Sequence, residues 1–373
     1  MENAGRPHGE TYGKAECVHC SNRTLTASTQ TMQSPTDQRN NASQWTTIQV
    51  ANLNLQNFAL PGRQFYPNDR PYEPGEYARK LAWLGEHLHR MNADIACFEE
   101  VWDEAALVAA ASASGLNYAH VLAPGAEQGA EGTPRVGLAT RLKLTALASL
   151  RDFPAGFAVE VPEIGTHQRF ERPVLHAKLL TRKGTELHVL VVHLKSKRPK
   201  FLNDASGNPL EDRADPRIVA RATLRSLIMR GAESAALRVT ISELLKGTRT
   251  PLILAGDLND NPGSVTSQII AATGEVAFDR GARDVALWHA PDVQTGLAVR
   301  RDVGYSHIHQ GSPEILDQIW VSEEFVAGSR FAIGDVRRVD YFNDHLNEGR
   351  DRTRSDHGFV RALLRLREGE AEN

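Results

Sequence analysis

Apolar residues occur along much of this chain in short runs that end in polar or acidic side chains. The clearest run, Leu252–Ala255, predicts a strand buried on both faces. It stops at Gly256 and delivers Asp257 and Asn259 into a turn at 261–263. Residues two apart on an extended backbone point the same way, so the two polar side chains leave the strand together. They are either a turn that caps a strand or a functional pair on a rigid support, and both interpretations are open at this point.

Other apolar segments end in the same manner. Strands are predicted over 46–55, 93–101 and 186–194, each followed by polar residues. The polar side chains at or next to predicted strand ends are Asn54, Glu100, His193, Asp356 and His357. Asp317 is the exception, because it is predicted to lie inside the strand 314–321. A carboxylate in a buried strand is costly unless it is paired, terminal or bound to a metal, so these acids are candidates for function.

The helical pattern is clearest in two segments. Apolar spacing predicts a helix that opens at Pro74 and a long helix over 212–246, interrupted near Gly231. Residues 153–170 are expected to be irregular, with Arg172–Pro173 introducing the next strand. Because strands and helices alternate in blocks and several strands form adjacent hairpins, the pattern predicts an α/β (α+β) protein with mixed sheets.

One ordered domain is predicted over 45–368, without an internal linker or short repeat. Residues 1–44 are rich in small and polar side chains and predict a disordered tail, and 369–373 form a short C-terminal tail. Cys17 and Cys20 have the spacing of half a zinc knuckle. No second cysteine pair accompanies them, so a zinc site is not predicted.

Composition narrows the class of protein. Hydrophobic residues make up 41% and charged residues 24% of the chain, as in an ordinary globular protein, and the net charge of −3 excludes a global basic field. Three cysteines suit a reducing compartment. No apolar run reaches membrane-spanning length and the N-terminus lacks the core of a signal peptide, so we expect a cytoplasmic protein without stable membrane insertion. No obligate protein partner is predicted.

A basic segment follows the strand that ends at His193. Lys195 and Lys197 are its first two cations, and the segment continues to residue 200. It is either a site for an anion or a solvated loop, and both interpretations stay open on this evidence.

Strand ends from distant parts of a chain can meet at one edge of a sheet and form a cleft there. Oxygen donors such as Glu100, Asp356 and Asn54 suit Mg²⁺ or Mn²⁺ better than zinc. The two histidines can transfer protons, and Asp317 could orient one imidazole. This set fits metal-assisted hydrolysis of a phosphoric ester. The sequence contains neither a G-x-S-x-G elbow nor a P-loop.

Six motifs in order along the chain resemble the endonuclease/exonuclease/phosphatase superfamily, the deoxyribonuclease-like fold. They are Asn54-Leu-Gln-Asn-Phe58, Cys97-Phe-Glu-Glu-Val101, Val192-His-Leu-Lys-Ser196, Gly256-Asp-Leu-Asn-Asp260, Ile315-Leu-Asp-Gln-Ile319 and Ser355-Asp-His357. The resemblance covers residues 45–368. It implies a four-layer α-β-β-α sandwich, in which two mixed β-sheets are flanked by helices and the active site lies at one edge.

The resemblance also implies a metal site. It makes Glu100 the principal ligand of Mg²⁺ (or Mn²⁺), with Asp356 and Asn54 near the metal. Many members have an acidic ligand two residues after the first asparagine, where this chain has Gln56.

For the catalytic groups, the resemblance implies that Asp317 orients His357, which contacts the phosphate or transfers a proton. It makes Asp257 the residue that aligns or deprotonates the attacking water and Asn259 the residue that stabilises charge on phosphorus. His193 matches a second acid/base that some members replace with tyrosine.

Substrate contacts are implied for Arg172, near the scissile phosphate, and the basic segment adds Lys195 and Lys197 as candidates for binding a polyanion. The carboxylate that would orient His193 is not evident in the sequence, where Glu127 and Glu131 are the available acids.

Among the activities of this superfamily, the basic segment favours a nuclease whose substrate is DNA or RNA. The Cys-Asp-Arg run of inositol phosphatases is absent, since Asp317 stands between Leu316 and Gln318. A phosphatase or phosphodiesterase acting on a small molecule or a lipid headgroup is the alternative. A catalytically silent binding module is disfavoured, because every acid and histidine of the constellation is present.

Overall fold

The computed structural model describes residues 45–66, 69–125, 134–272, 274, 279–296 and 303–368. The predicted tails at 1–44 and 369–373, the Cys17–Cys20 pair, and Glu127 and Glu131 lie outside the described residues. None of the helices in the described part combines the length and apolar character needed to cross a bilayer.

Sixteen strands and four α-helices are present in these ranges. The strands are β1 (Trp45–Phe58), β2 (Ile95–Val101), β3 (His120–Leu122), β4 (Arg135–Thr140), β5 (Lys143–Asp152), β6 (Val159–Val161), β7 (Gly165–His167), β8 (Arg169–Leu180), β9 (Glu186–His193), β10 (Leu252–Asp257), β11 (Leu287–His289), β12 (His307–His309), β13 (Ser312–Glu314), β14 (Asp317–Ser322), β15 (Gly334–Phe342) and β16 (Phe359–Arg367). The helices are α1 (Pro74–Met91), α2 (Glu104–Ala113), α3 (Pro216–Leu245) and α4 (Val265–Ala271).

Local sequence signals fix the ends of the two longest helices. Proline occupies the first position of both α1 and α3, where its missing N–H costs nothing. The Glu76 carboxylate accepts the backbone N–H of Glu73 at 3.0 Å at the start of α1. Asp215 caps α3 by accepting the N–H of Arg217 at 2.8 Å. Each helix therefore begins where the sequence satisfies its unpaired N–H groups.

Two six-stranded mixed sheets form the centre of the domain. The first has the order β15-β16-β1-β2-β4-β3 and the second the order β11-β14-β10-β9-β8-β5. One pair in each sheet is parallel, β1 with β2 and β9 with β10, and the other pairs are antiparallel. The predicted mixed-sheet architecture is confirmed.

Alternating burial arranges these sheets and helices in four layers. One core cluster contains inward residues of both sheets, such as Val50 from the first and Val191 from the second. A second cluster joins the outer face of the second sheet to α3, and a third joins the outer face of the first sheet to α1 and α2. Each sheet thus buries one face on the other sheet and one on helices, which is the α-β-β-α sandwich that the resemblance implied.

Three predicted boundaries were wrong. The long helix α3 is not interrupted near Gly231, since a single glycine costs only about 1 kcal/mol in a helix that is long and packed along one face. Residues 153–170 contain the β6–β7 hairpin, and β8 begins at Arg169, so Arg172 and Pro173 lie within the strand. Asp317 is the first residue of β14, so it lies at the end of a strand and not in its middle.

Strand register brings three polar residues to one edge of the second sheet. Asp257 at the end of β10 lies opposite His193 on β9 and opposite Asp317 on β14. In the first sheet, Asn54 lies opposite Glu99, so Glu100 follows at the same edge. The Asn54 amide nitrogen lies 3.2 Å from the Asp257 carboxylate and links the two sheets at this edge.

Gly256 is required by close packing between β9 and β10. A Cβ atom at this position would lie 2.0 Å from the Val192 carbonyl oxygen, so Gly256→Ala must displace a strand. We expect this substitution to lower the free energy of unfolding by about 2 kcal/mol or more in urea denaturation. Gly263→Ala is the matched control, because nothing lies within 4 Å of a Cβ there. Equal midpoints for the two variants would contradict this explanation.

Candidate active site

The polar strand ends share an unusual backbone. Gln56, Asn57, Glu100 and Asn259 have φ between 48° and 58°, in the left-handed region that side chains other than glycine rarely adopt. They are four of the eight such non-glycine residues in the described ranges. Backbone strain of this kind persists where the surrounding structure holds it, and it gathers at functional sites. Here the strained residues lie at or next to the ends of β1, β2 and β10, at the edge where the cleft is predicted.

Glu100, Asn54 and Asp257 form the centre of this cleft. The Glu100 Oε2 atom accepts the Asn57 backbone N–H at 2.9 Å, and Oε1 lies 3.5 Å from the Asn54 amide nitrogen. Asn54 also donates to Asp257, while its own Oδ1 accepts the Gln56 N–H at 3.0 Å. Asn54 therefore bridges two carboxylates from different sheets.

A second pair lies beside this centre. The Nδ1 atom of His357 donates to Asp317 Oδ2 at 2.7 Å, and both side chains are buried. Ser306 accepts the backbone N–H groups of Leu316 and Asp317 with its hydroxyl oxygen, which fixes the start of β14. The imidazole of His357 is thereby held with Nε2 directed away from Asp317.

His193 and Asn259 complete the group around Asp257. The Nε2 atom of His193 lies 3.4 Å from Asp257 Oδ2, and its Nδ1 atom has no hydrogen-bond partner in the described part of the chain. Asp257 Oδ1 accepts the Asn259 N–H at 2.8 Å, and the Asn259 side chain donates to the Leu194 carbonyl at 3.0 Å. The carboxylate that faces His193 is thus Asp257 itself.

Burial and neighbouring charges give these groups different protonation states. Burial and, after it, the charge of Asp317 raise the pKa of Asp257 to about 7. Burial alone would lower the pKa of His357, but the charge and hydrogen bond of Asp317 raise it well above its usual value. Burial, followed by the charge of Arg172, lowers the pKa of His193 well below its usual value. One imidazole is therefore charged and the other neutral near pH 7.

The donor set fits a hard divalent cation of the Mg²⁺ type. No three acidic, histidine or cysteine side chains in the described residues come close enough to chelate a metal. Mg²⁺ commonly uses one or two carboxylates and keeps several waters, so Glu100 is a suitable ligand, whereas the Asn54 amide presents its nitrogen to Glu100 and its oxygen to the Gln56 N–H. Asp356 is exposed, and its carboxylate makes no hydrogen bond within the described ranges. The ligand roles of Glu100, Asp356 and Asn54 stay predictions.

The predicted substrate-binding cations differ in their availability. Arg172 donates to the Leu194 carbonyl at 3.2 Å, beside the site. Lys195 is buried and its ammonium contacts only Ser196 oxygens among the described residues. Lys197 is paired with Glu314 at 2.6 Å. The exposed Arg198 forms no ion pair with an acidic side chain of the described part. Arg198 is therefore the exposed cation of this group without an acidic partner in the described part, while Arg172 is half-buried and bonded to backbone.

Lys80 was not predicted from the sequence to support the site. Its buried ammonium donates to the Gln56 carbonyl and the Tyr72 hydroxyl, both at 2.8 Å, and to the carbonyls of Arg352 and Arg354 at 3.4 and 3.3 Å. It therefore ties the end of β1 to the loop that leads to Asp356. The available signal was its position on the apolar stripe of α1, four residues before the buried Leu84.

His345 supports the loop from the other side and gives the protein a pH dependence. Its Nε2 bonds to the His357 carbonyl at 2.9 Å, and burial against Trp83 and Phe359 lowers its pKa to about 4. In the unfolded chain this histidine has a pKa of about 6.5, so as the pH falls the unfolded state binds a proton at a higher pH than the folded state does. Stability should therefore decrease between about pH 6.5 and 4, by up to about 1.4 kcal/mol per pH unit for this group.

Urea denaturation at several pH values measures this effect. His345→Asn should reduce the slope of the unfolding free energy against pH in that range, whereas substitution of the exposed His309 with asparagine should leave it unchanged. An identical slope in His345→Asn and the unsubstituted protein would contradict the assignment.

A four-layer sandwich with oxygen donors and imidazoles at one edge places the protein in the class of nucleases and phosphatases that its motifs resemble. A sequence model of the Endonuclease/Exonuclease/phosphatase family matches residues 51–357, and the chain belongs to this family. Members of the family are generally hydrolases that act on phosphoester bonds.

Solved structures show the same fold. The catalytic domain of human Nocturnin with bound sulfate has a TM-score of 0.51 and 18% identity, covering 86% of this chain and 96% of that one. An endonuclease/exonuclease/phosphatase from Bacteroides vulgatus has a TM-score of 0.51 and 14% identity over 86% and 99% of the two chains. D. rerio TDP2 humanised by 14 mutations has a TM-score of 0.50 and 14% identity over 85% and 98%. No curated protein sequence matches the chain.

Proposed function

We propose that the protein is a divalent-metal-dependent phosphodiesterase that cleaves nucleic acid, DNA or RNA, by attack of water on phosphorus. The observation that carries the proposal is the buried Asp317–His357 pair beside Asp257. The charged imidazole can neutralise a phosphate oxygen. The neighbouring carboxylate of Asp257, whose pKa is about 7, can accept a proton from the attacking water.

Glu100 is the residue that would hold Mg²⁺ or Mn²⁺, with Asp356 and Asn54 adjacent to it. When bound, such a cation supplies Lewis-acid stabilisation of the charge that develops on the phosphate oxygens. The Asn57 N–H fixes Glu100 Oε2, and Oε1 lies beside the Asn54 amide nitrogen at 3.5 Å. Glu100 thus presents an oxygen in a defined position before the substrate arrives.

Asp257 orients the attacking water and accepts its proton. The Asn259 N–H holds Asp257 Oδ1, which leaves Oδ2 facing Asn54 and His193. Since the pKa of Asp257 is about 7, a large fraction of this carboxylate is able to accept a proton at neutral pH. Asn259 keeps one amide N–H to stabilise charge on phosphorus, because its other interaction is to Leu194. His193, neutral at this pH, is the second acid/base.

Two arginines beside the site, the half-buried Arg172 and the exposed Arg198, favour a polyanionic substrate. Arg172 lies beside His193 and the exposed Arg198 follows in the same loop, so both can contact phosphates that flank the scissile one. Guanidinium groups match phosphate oxygens in a bidentate manner, which suits a nucleic-acid backbone. Lys197 contributes less to this argument because of its pairing with Glu314.

A panel of substrates tests the proposal. The purified protein is incubated with plasmid DNA, RNA, bis-p-nitrophenyl phosphate and sphingomyelin, each with Mg²⁺ and with EDTA. We expect Mg²⁺-dependent cleavage of a polynucleotide and of the small diester, and none with EDTA. Hydrolysis of the small diester or the lipid alone would overturn the nucleic-acid assignment and favour a small-molecule or headgroup phosphodiesterase. Activity that survives EDTA would overturn the metal dependence.

A further inference from the structure

We infer that Arg230 and Glu233 of α3 are positioning residues for the active site, because together they fix both backbone groups of Lys195 in the loop that follows His193. The catalytic consequence rests on the proposed function. The contacts themselves can be tested without it.

Glu233 joins two segments of the second sheet. Its Oε2 atom accepts the Lys195 N–H at 2.7 Å, and its Oε1 atom accepts the Glu171 N–H at 2.9 Å. Glu233 is 1% exposed, so these bonds have no competition from solvent. One carboxylate therefore sets the distance between the backbone before Arg172 and the loop after His193.

Arg230 lies one helical turn before Glu233 on the same face of α3. Its Nη1 atom donates to the Lys195 carbonyl at 3.3 Å, and its Nη2 atom lies 3.2 Å from Asp260 Oδ2. Asp260 belongs to the turn that follows β10 and carries Asn259. Arg230 thus connects the loop after β9 to the turn after β10.

The contacts of Arg230 and Glu233 with Lys195 form a clamp, and Leu194 connects this clamp to the predicted catalytic groups. Its carbonyl accepts from both Arg172 at 3.2 Å and Asn259 at 3.0 Å, and its N–H donates to the Asp257 carbonyl at 3.0 Å. Lys195 is the next residue in the chain. A displacement of Lys195 therefore moves the shared acceptor of Arg172 and Asn259 relative to Asp257.

The chemistry of the clamp argues against a contact that serves packing alone. Burying a carboxylate and a guanidinium costs more than burying apolar side chains of similar volume. The buried positions of α3 include apolar residues such as Ala236 and Leu237, and also Arg225 and Ser226, which donate to the carbonyls of Lys200 and Arg198 in the same loop. The charged residues at 230 and 233 make defined hydrogen bonds to the backbone of a loop, which apolar side chains cannot make.

Glu233→Gln is the first variant that tests the inference. Glutamine keeps the volume of the side chain. Its amide NH₂ group would face one of the two backbone N–H groups that Glu233 accepts, so that hydrogen bond would be lost. Arg230→Gln is the second, because it removes the other half of the clamp without affecting the Glu233 bonds. We expect kcat for bis-p-nitrophenyl phosphate with Mn²⁺ to fall about 10- to 100-fold in either variant. The Mn²⁺ dissociation constant should stay within about twofold, because Glu100 lies on the other sheet.

Hydrogen exchange gives the readout that does not depend on activity. The Lys195 amide should exchange faster in Glu233→Gln than in the unsubstituted protein, while amides in the centre of β9 stay protected. Glu243→Gln, an exposed position on the same helix, is the matched control and should change neither exchange nor kcat. If the unsubstituted protein hydrolyses no phosphoester, the proposed function fails while exchange still tests the clamp. An unchanged kcat in both folded variants, or a uniform rise in exchange across α3 and β9, would overturn the inference.

Discussion

Glu100→Gln is expected to lower kcat for Mg²⁺-dependent phosphodiester hydrolysis by about a thousandfold. The substitution keeps the size of the side chain and an oxygen for the Asn57 N–H, but it removes the negative charge that would hold the cation. The melting temperature should stay the same or rise slightly, because an unneutralised carboxylate near Asp257 is removed. Initial rates over a Mg²⁺ titration, with melting curves on the same samples, measure both effects.

Glu86→Gln is the matched control for this result, since Glu86 is exposed on α1. It makes the same chemical change on the surface and should leave rate and melting temperature as they are. Activity in Glu100→Gln equal to that of the control would contradict the assignment of Glu100 as the metal ligand.

The next largest effect is expected for His357→Asn, which should reduce kcat by about 100-fold or more. Asparagine cannot carry the positive charge that Asp317 maintains on the imidazole. Because the two residues act as one unit, Asp317→Asn should also be strongly impaired. The double variant should lose little more than His357→Asn alone. Single-turnover rates with saturating Mg²⁺ separate this loss from a change in metal affinity.

His120→Asn provides the control, because His120 lies on the terminal strand β3 of the first sheet. It should be fully active. A loss of less than about tenfold in His357→Asn, or additive losses in the double variant, would reject the proposed role of the pair.

The mixed-sheet α/β class followed from local patterns, because apolar runs and helical stripes are visible in the sequence, whereas the four-layer sandwich was implied only by the resemblance to the family. Boundaries failed where tertiary pairing decides them. Pro173 suggested the start of a strand, yet it lies inside β8 at a break in the pairing with β5, between Val174 opposite Leu150 and Arg169 opposite Asp152. A proline is tolerated at such a break because no ladder hydrogen bond is lost there. Asp317 was placed inside a strand because its neighbours are apolar, but pairing with β10 begins at that residue.

The candidate site was predictable where a polar residue ends an apolar run, as at Asp257, His193 and Glu100. The network behind it was not predictable, because its members lie on helices and contact the site only through the fold. Lys80 and Glu233 each look like a surface charge on a helix, although both are buried and bonded to loop backbone. Their local signal is a charge among apolar neighbours at helical spacing. Which loop they hold depends on sheet order, and strand pairing over long sequence separations has no local signature.

We propose that the strand ends of the two sheets together hold one hydrated divalent cation at Glu100. A crystal soaked with Mn²⁺ and measured at a wavelength where manganese scatters anomalously tests it directly. We expect an anomalous peak at about 2.0–2.3 Å from a Glu100 oxygen, close to Asp257 and His357. A protein that cleaves phosphodiesters with Mn²⁺, but whose only manganese peak lies away from Glu100, would contradict it.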